Sequence, residues 1–194
     1  GMATLVEAWA GDPDLRERCN LLIVGGDLAA PSPDEREQLD LIAGVLARHP
    51  GAADGLLLAG HRPNDVVARW LAVAHAGRPP LAGPDGVYVC ASLKEEFGLA
   101  LLEALAAGLV VVGPDAGGPA TYIEDGVTGL LADTSRPAEV ARAFRAALDL
   151  ATGPAQAARV QRAQRTIADG FTVRSMASAL AGIYAGVTEP AGRP

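Results

Sequence analysis

The fold is decided by residues 95–119, which read EEFGLALLEALAAGLVVVGPDAGGP. Phe97 to Ala107 forms a predicted apolar helix, and Gly108 supplies a glycine where such a helix usually ends. Residues 109–112 (LVVV) follow as a predicted strand, because a continuous β-branched run before a glycine is typical of a strand covered on both faces. A helix that leads directly into a buried strand is a unit of a parallel sheet, so this segment predicts an α/β fold.

The same alternation extends outward in both directions. Further strands are predicted at 21–24 (LLIV), 56–59, 87–90 and 129–133, with helices at 34–48 and 65–75 between them. Ser32 and Asn64 are the predicted N-caps of these two helices. Strands that alternate with helices predict a doubly wound, Rossmann-like parallel sheet.

From Pro137 onward the pattern changes to three amphipathic helices, at about 137–151, 154–168 and 172–186. We therefore expect a Rossmann-like domain at 1–136, with the helices of 137–194 packed on it. The first predicted element is a helix at residues 3–10 (ATLVEAWA), and no strand is predicted before it. Because the first strand of a doubly wound sheet is central, we expect the domain to lack that strand and to have a gap in its sheet.

Composition excludes several classes of function. The 16 Lys and Arg residues against 23 Asp and Glu residues give a net charge of −7, which argues against a broad surface for nucleic acid or anionic membrane. Cys19 and Cys90 have no metal-ligand spacing, so we expect reduced thiols and no metal site. The sequence has no signal peptide and no apolar run long enough to span a membrane, and a cytoplasmic protein is expected.

Ligands of open α/β sheets bind where strands end and helices begin. The loops in question are 25–27 (GGD), 60–64 (GHRPN), 91–98 (ASLKEEFG) and 114–119 (PDAGGP). A helix that starts near Gly98 offers unbonded backbone N–H groups to hydroxyl or phosphate oxygens. Gly117 and Gly118 precede a short helix opened by Pro119 and offer a second, weaker signal of the same kind.

Two glutamates in this region have competing interpretations. Glu103 lies in an otherwise apolar helix, where it marks either a solvated stripe or a carboxylate that a sugar diol satisfies. Glu95 and Glu96 stand beside Lys94 and are, without further information, surface charges. The pattern alone leaves both alternatives open.

Residues 95–131 resemble the carboxy-terminal domain of retaining GT-B glycosyltransferases of the group 1 family, the family of sucrose synthases and sucrose-phosphate synthases. The family signature is a pair of glutamates with seven residues between them, then a strand, a glycine pair and an E-x-G turn. Glu95 and Glu103 match the pair, and Glu96 stands where the family often has proline. The segments VGGD, GHRPND and VYVCAS, at 24–27, 60–65 and 87–92, are similar to the family in the same order.

The resemblance implies a site for a nucleotide-diphosphate sugar that needs no cofactor and no metal. Glu95 would contact the transferred sugar as the catalytic residue, and Glu103 would accept hydrogen bonds from the ribose. The remaining donor-binding residues would be Phe97, Gly98 and Leu99 through their amides, Gly25 and Gly26 at the diphosphate, His61, Arg62 and Asn64 beside the base, and Gly117 and Gly118. From the residues alone, His61 is equally a loop residue that caps carbonyls, Arg62 a surface charge and Asn64 a helix cap.

The sequence also departs from the family. Relatives place an Arg and a Lys just before the helix that ATLVEAWA resembles, and they carry an amino-terminal domain with the acceptor site; this chain starts after both. We therefore expect the donor-binding half of a retaining hexosyltransferase, inactive alone, completed by an amino-terminal domain or a homodimer partner that covers the gap in the sheet. The alternatives are a non-catalytic interaction module that reuses the fold and a fragment of a nucleotide-sugar epimerase.

Overall fold

The computed structural model describes residues 1–80 and 82–188, which form eight α-helices and five β-strands. The helices are α1 (Met2–Ala10), α2 (Pro13–Arg18), α3 (Pro33–Arg48), α4 (Asn64–Ala76), α5 (Leu99–Ala106), α6 (Pro137–Ala151), α7 (Gln156–Gly170) and α8 (Val173–Thr188). The strands are β1 (Leu21–Val24), β2 (Leu56–Gly60), β3 (Val87–Val89), β4 (Val110–Pro114) and β5 (Gly129–Ala132). The α/β fold with carboxy-terminal helices is thus confirmed.

The five strands form two separate parallel sheets. β1 pairs with β2, with Leu21 opposite Leu56. β4 lies between β3 and β5, with Val111 opposite both Tyr88 and Gly129. No strand pairing joins the two sheets within residues 1–80 and 82–188. The sheet is therefore interrupted, and β1 and β3 each have a neighbour on one side only.

One layer of helices spans both sheets. α1 packs against α3 and α6, and α6 covers β3, β4 and β5. Val6, Trp9 and Ala10 of α1 are at most 1% exposed and belong to a cluster that also contains Ile23 of β1 and Phe144 of α6. The indole N–H of Trp9 donates to the carbonyl oxygen of Cys19 at 3.0 Å. α1 therefore links the two sheets through side-chain packing.

The opposite face is covered unevenly. α5 packs on β4 of the second sheet and α7 packs on α5, where Leu101 and Leu105 of α5 join Ala163 of α7 in a buried cluster. α4 contributes no fully buried residue. On the first sheet, Leu22 and Leu57 are 44% and 60% exposed. The face of β1 and β2 opposite α1 and α3 is therefore open.

Local signals set the helix boundaries. Ser32 caps α3, because its side chain accepts from the N–H of Glu35 while the Glu35 side chain accepts from the N–H of Ser32, and Pro33 occupies the first helical position. The prediction that Asn64 caps α4 is wrong: Pro63 is the N-cap, without a side-chain bond, and Asn64 is the first helical residue. Pro63 fixes its own φ at −58°, which suits entry into a helix one residue earlier than predicted.

Other boundaries shift by two residues at most. α5 begins at Leu99 rather than Phe97, because Gly98 is its N-cap with a φ of 84°. β4 runs from Val110 to Pro114, and α7 from Gln156 to Gly170. Shifts of this size are normal at element ends, where hydrogen bonding frays.

Candidate functional site

The first group of loops follows β1 and β2. The N–H of Gly25 donates to the carbonyl oxygen of Gly60 at 2.9 Å, and the N–H of His61 donates to that of Gly26 at 2.7 Å. Gly25 and Gly26 have φ values of 126° and 73°, which side chains rarely adopt. The glycine loop and the loop that starts at His61 are therefore bonded to each other through their backbones.

Glu35 of α3 braces this glycine loop. One carboxylate oxygen accepts from the N–H of Asp27 at 3.1 Å, and the other accepts from the N–H of Ser32 at 2.8 Å. These amides lower the pKa of Glu35 below its usual value. Asp27 in turn accepts from the N–H groups of Ala29 and Ala30, which lowers its pKa as well. The loop after β1 is thus held by ionised carboxylates.

His61, Arg62 and Asn64 are all exposed at the end of β2. The Arg62 guanidinium donates to the carbonyl oxygen of His61 at 2.8 Å. Since Asn64 does not cap α4, its amide is not committed to the helix. The three side chains stand where a ligand at the strand ends would meet them.

The second group of loops follows β3 and β4. The N–H of Gly118 donates to the carbonyl oxygen of Glu95 at 3.0 Å. A Cβ atom at Gly117 would overlap that same oxygen, and one at Gly118 would overlap the carbonyl oxygen of Glu96. The glycine pair therefore lets two loops pack backbone to backbone. The N–H of Gly118 is used in this contact. An anion bound at the glycine pair would therefore accept a hydrogen bond from the N–H of Gly117.

The amino end of α5 lies beside this contact. Gly98 is buried, and its carbonyl oxygen accepts from the N–H groups of Leu101 and Leu102 at 3.0 and 3.1 Å. The N–H groups of Leu99 and Ala100 precede the first intrahelical bond and point out of the helix end. Partial positive charge collects there, which suits the oxygen atoms of a ligand.

Tyr122 supports the same turn from below, although the sequence pattern did not single it out. It is 4% exposed, and its hydroxyl donates to the carbonyl oxygen of Phe97 at 2.6 Å and lies 3.3 Å from that of Gly98. Burial, followed by the negative charge of Glu95, raises the pKa of Tyr122 to about 12. The phenol therefore stays protonated and acts as a donor. The feature of the sequence that could have pointed to Tyr122 is an aromatic residue within a loop of small and polar residues.

The two glutamates of the pair differ in exposure. Glu95 is half-buried at the glycine contact, whereas Glu103 is exposed. Glu103 lies on a solvent-facing stripe of α5 with Leu99, Ala100 and Ala106. Glu103 is therefore not a buried carboxylate, and its exposed position is compatible with both interpretations. Exposure leaves the carboxylate accessible from solvent.

Positive charge is scarce among these loops. Lys94 forms an ion pair with Glu96 at 2.6 Å, with both side chains at least 70% exposed, and this contact raises the pKa of Lys94. The other basic residues of the four loops are His61 and Arg62, and the loops also contain Asp27, Glu95, Glu96 and Asp115. The loops therefore carry more negative than positive charge.

The start of the chain lies between the two groups. A Cβ atom at Gly1 would overlap the carbonyl oxygen of Ala91, just after β3. Met2 lines a cavity of about 20 Å³ together with Gly25 and Gly26. The loops of the two sheets thus flank the amino end of α1 and open on the same side of the molecule.

Metal clusters and membrane-spanning helices are both absent from the part of the chain that the structure describes. It contains no cluster of three or more His, Cys, Asp or Glu side chains that could hold a metal ion. It also contains no helix that combines the length and apolar character required to cross a bilayer.

Comparison with known protein families gives a match over residues 83–166 to the family described as Glycosyl transferases group 1. The matched segment includes Glu95, Glu103, the glycine pair and Tyr122. A sucrose synthase from Thermosynechococcus vestitus is 33% identical over 144 residues, which make up 71% of this chain and 16% of that protein. The chain thus matches about a sixth of the length of this relative.

Solved structures show the same fold. HepE of Anabaena, crystallised in complex with UDP, matches with a TM-score of 0.73 and 21% identity over 94% of this chain and 44% of its own. The carboxy-terminal domain of LpcC from Francisella tularensis, a glycosyl transferase group 1 family protein, matches with a TM-score of 0.68 and 18% identity. That match covers 89% of this chain and 80% of the LpcC domain.

Proposed function

Because the chain carries a glycosyl transferase group 1 domain, the carboxy-terminal half of a GT-B fold, we propose that it binds a nucleotide-diphosphate sugar. The observation that carries the proposal is the setting of Glu95 and Glu103, one before and one within α5, on either side of a helix end whose amides are unbonded. Two acceptors and a set of donors around one helix end suit a polyhydroxylated, anionic ligand.

Each part of the ligand has a place in this arrangement. Glu103 accepts from the ribose hydroxyls and Glu95 contacts the sugar that is transferred. The amides of Phe97, Gly98 and Leu99 hold sugar hydroxyl or phosphate oxygens, and Gly25 and Gly26 let the diphosphate pass close to the backbone. His61, Arg62 and Asn64 stand beside the base. HepE, which shares this fold, was crystallised in complex with UDP, and this supports a nucleotide as part of the ligand.

The reaction we propose is transfer of a hexosyl group with retention of the anomeric configuration. The protein's main task in such a step is to stabilise negative charge on the departing diphosphate. Lys94 is paired with Glu96, and the four loops hold few other cations. The chain alone therefore binds the donor weakly and does not turn it over, and an amino-terminal domain supplies the acceptor site and further positive charge.

Titration calorimetry of the chain with UDP-, GDP- and ADP-glucose tests the binding. We expect one of them to bind, and Glu103→Gln to weaken that binding about tenfold, the effect of losing hydrogen bonds to a charged acceptor. Glu37→Gln is the matched control, because Glu37 is exposed on α3 and its replacement removes the same charge elsewhere. Equal affinities of the two variants would contradict the role of Glu103. Sustained sugar transfer by the chain alone would contradict the need for a further domain.

A second candidate function, an interaction module, is favoured by the interrupted sheet. Within the residues that the structure describes, β1 and β3 each lack a neighbour on one side, and unpaired strand edges are ready sites for pairing with another chain. In this proposal a second copy of the chain covers the gap. Light scattering across a range of concentrations is expected to show a dimer, and a monomer at all concentrations would exclude this version.

A further inference from the structure

Tyr122 holds a peptide group that the helix itself does not hold. The carbonyl of Gly98 is fixed by the first two hydrogen bonds of α5, from Leu101 and Leu102. The preceding carbonyl, that of Phe97, lies outside the helix. It is fixed instead by the Tyr122 hydroxyl at 2.6 Å, a short distance for a bond of this type.

Because the carbonyl of Phe97 is held in place, the direction of the N–H of Gly98 is set as well. A trans peptide is planar, so the C=O of Phe97 and the N–H of Gly98 point in opposite directions. Tyr122 holds the C=O toward the protein interior, where the phenol is 4% exposed. The N–H of Gly98 is consequently turned away from Tyr122.

The fit between Tyr122 and this turn leaves little freedom. A Cβ atom at position 98 would lie 2.5 Å from the Tyr122 oxygen, so the hydroxyl occupies the space that a side chain would need. The ring itself is held by contacts with two aromatic side chains. Its centroid lies 6.4 Å from that of Phe97 and 5.3 Å from that of Phe171.

We propose that Tyr122 is a positioning residue for the donor site: its hydroxyl orients the Phe97–Gly98 peptide so that the N–H of Gly98 faces a sugar or phosphate oxygen of the ligand. This inference rests on the proposed function. It assigns to Tyr122 the alignment of one donor, while Glu103 and the loop after β2 hold the nucleoside.

Tyr122→Phe is the direct test, since it removes the hydroxyl and keeps the ring contacts with Phe97 and Phe171. We expect affinity for UDP-glucose to fall about fivefold, as for one lost hydrogen bond, and affinity for uridine to stay the same. Tyr184→Phe is the control, because it removes a hydroxyl from an exposed tyrosine on α8. A merely structural role would lower both affinities equally, and such a result, or no change in either, would overturn the proposal.

A second measurement does not depend on ligand binding. The residual dipolar coupling of the Gly98 N–H reports the direction of that bond, and we expect Tyr122→Phe to change it while couplings within Leu101–Leu105 stay constant. An unchanged Gly98 coupling would overturn the orientation argument. If wild-type protein binds neither UDP-glucose nor any other nucleotide sugar while the coupling still changes, the proposed function fails and the control of this peptide by Tyr122 stands.

Discussion

Replacement of Gly117 by alanine tests how tightly the loop that contains Gly117 packs against the loop that contains Glu95. Gly117 has φ 98° and ψ −154°, a conformation that is essentially restricted to glycine and costs other residues about 1–3 kcal/mol. The new methyl group would also overlap the carbonyl oxygen of Glu95, and overpacking of this kind costs about 1–3 kcal/mol. We therefore expect Gly117→Ala to lower the free energy of unfolding by about 2–6 kcal/mol.

Two further alanine variants separate these causes. Gly126 has a φ of 73°, and a Cβ atom there would meet no atom beyond its chain neighbours within 4 Å. Gly126→Ala should therefore lower the free energy of unfolding through backbone strain alone, by about 1–2 kcal/mol. Gly118 has no positive φ, but its methyl group would overlap the carbonyl oxygen of Glu96. Gly118→Ala should therefore lower the free energy of unfolding through the steric clash alone, by about 1–3 kcal/mol.

Urea unfolding followed by circular dichroism measures all three variants, and the midpoints give the differences in stability. We expect Gly117→Ala to be the most destabilised of the three variants. Any gain from a stiffer unfolded chain is common to the three substitutions and cancels between them. If Gly117→Ala costs no more than Gly126→Ala, the backbone contact with Glu95 is not a tight one and the reasoning is refuted.

Two other predictions concern the first sheet. The pKa of Glu35 is lowered mainly by the Ser32 amide, so its ionised form stabilises the folded state above the pKa that a glutamate has in the unfolded chain. This stability is lost as pH falls from that value through the lowered pKa of the folded state. Urea midpoints should therefore drop over that range, and less steeply in Glu35→Gln; parallel curves would contradict the bracing role. Trp9→Ala should cost about 3–5 kcal/mol because the indole is fully buried, whereas Trp70→Ala, on partly exposed α4, should cost less in the same assay.

Features fixed by neighbours in sequence were predictable. The cap at Ser32 and the strand after Gly108 depend on residues a few positions apart, and both were found within two residues of where the sequence predicts them. The cap of α4 was mispredicted because Asn64 and Pro63 both suit a helix start, and spacing does not rank them.

Features fixed by distant partners were not predictable. Gly117 and Gly118 were interpreted as amides for an anion, yet their small size is needed against the backbone of Glu95 and Glu96, more than 20 positions away. The Tyr122 hydroxyl similarly meets Phe97, 25 positions away. Glu103 shows the converse limit, since its spacing from Glu95 predicts a role whereas its exposure does not by itself distinguish a ligand contact from a solvated stripe.

The packing of α1 against α6 has a consequence for synthesis of the protein. Trp9 and Val6 emerge from the ribosome more than 130 residues before Val140 and Phe144, which share their cluster. At about 5–20 residues per second, that separation amounts to roughly 7–26 seconds of translation. The apolar side of α1 can therefore pack against β1 during synthesis, before α6 has been made. The core that α1 and α6 share is completed only after α6 has left the exit tunnel.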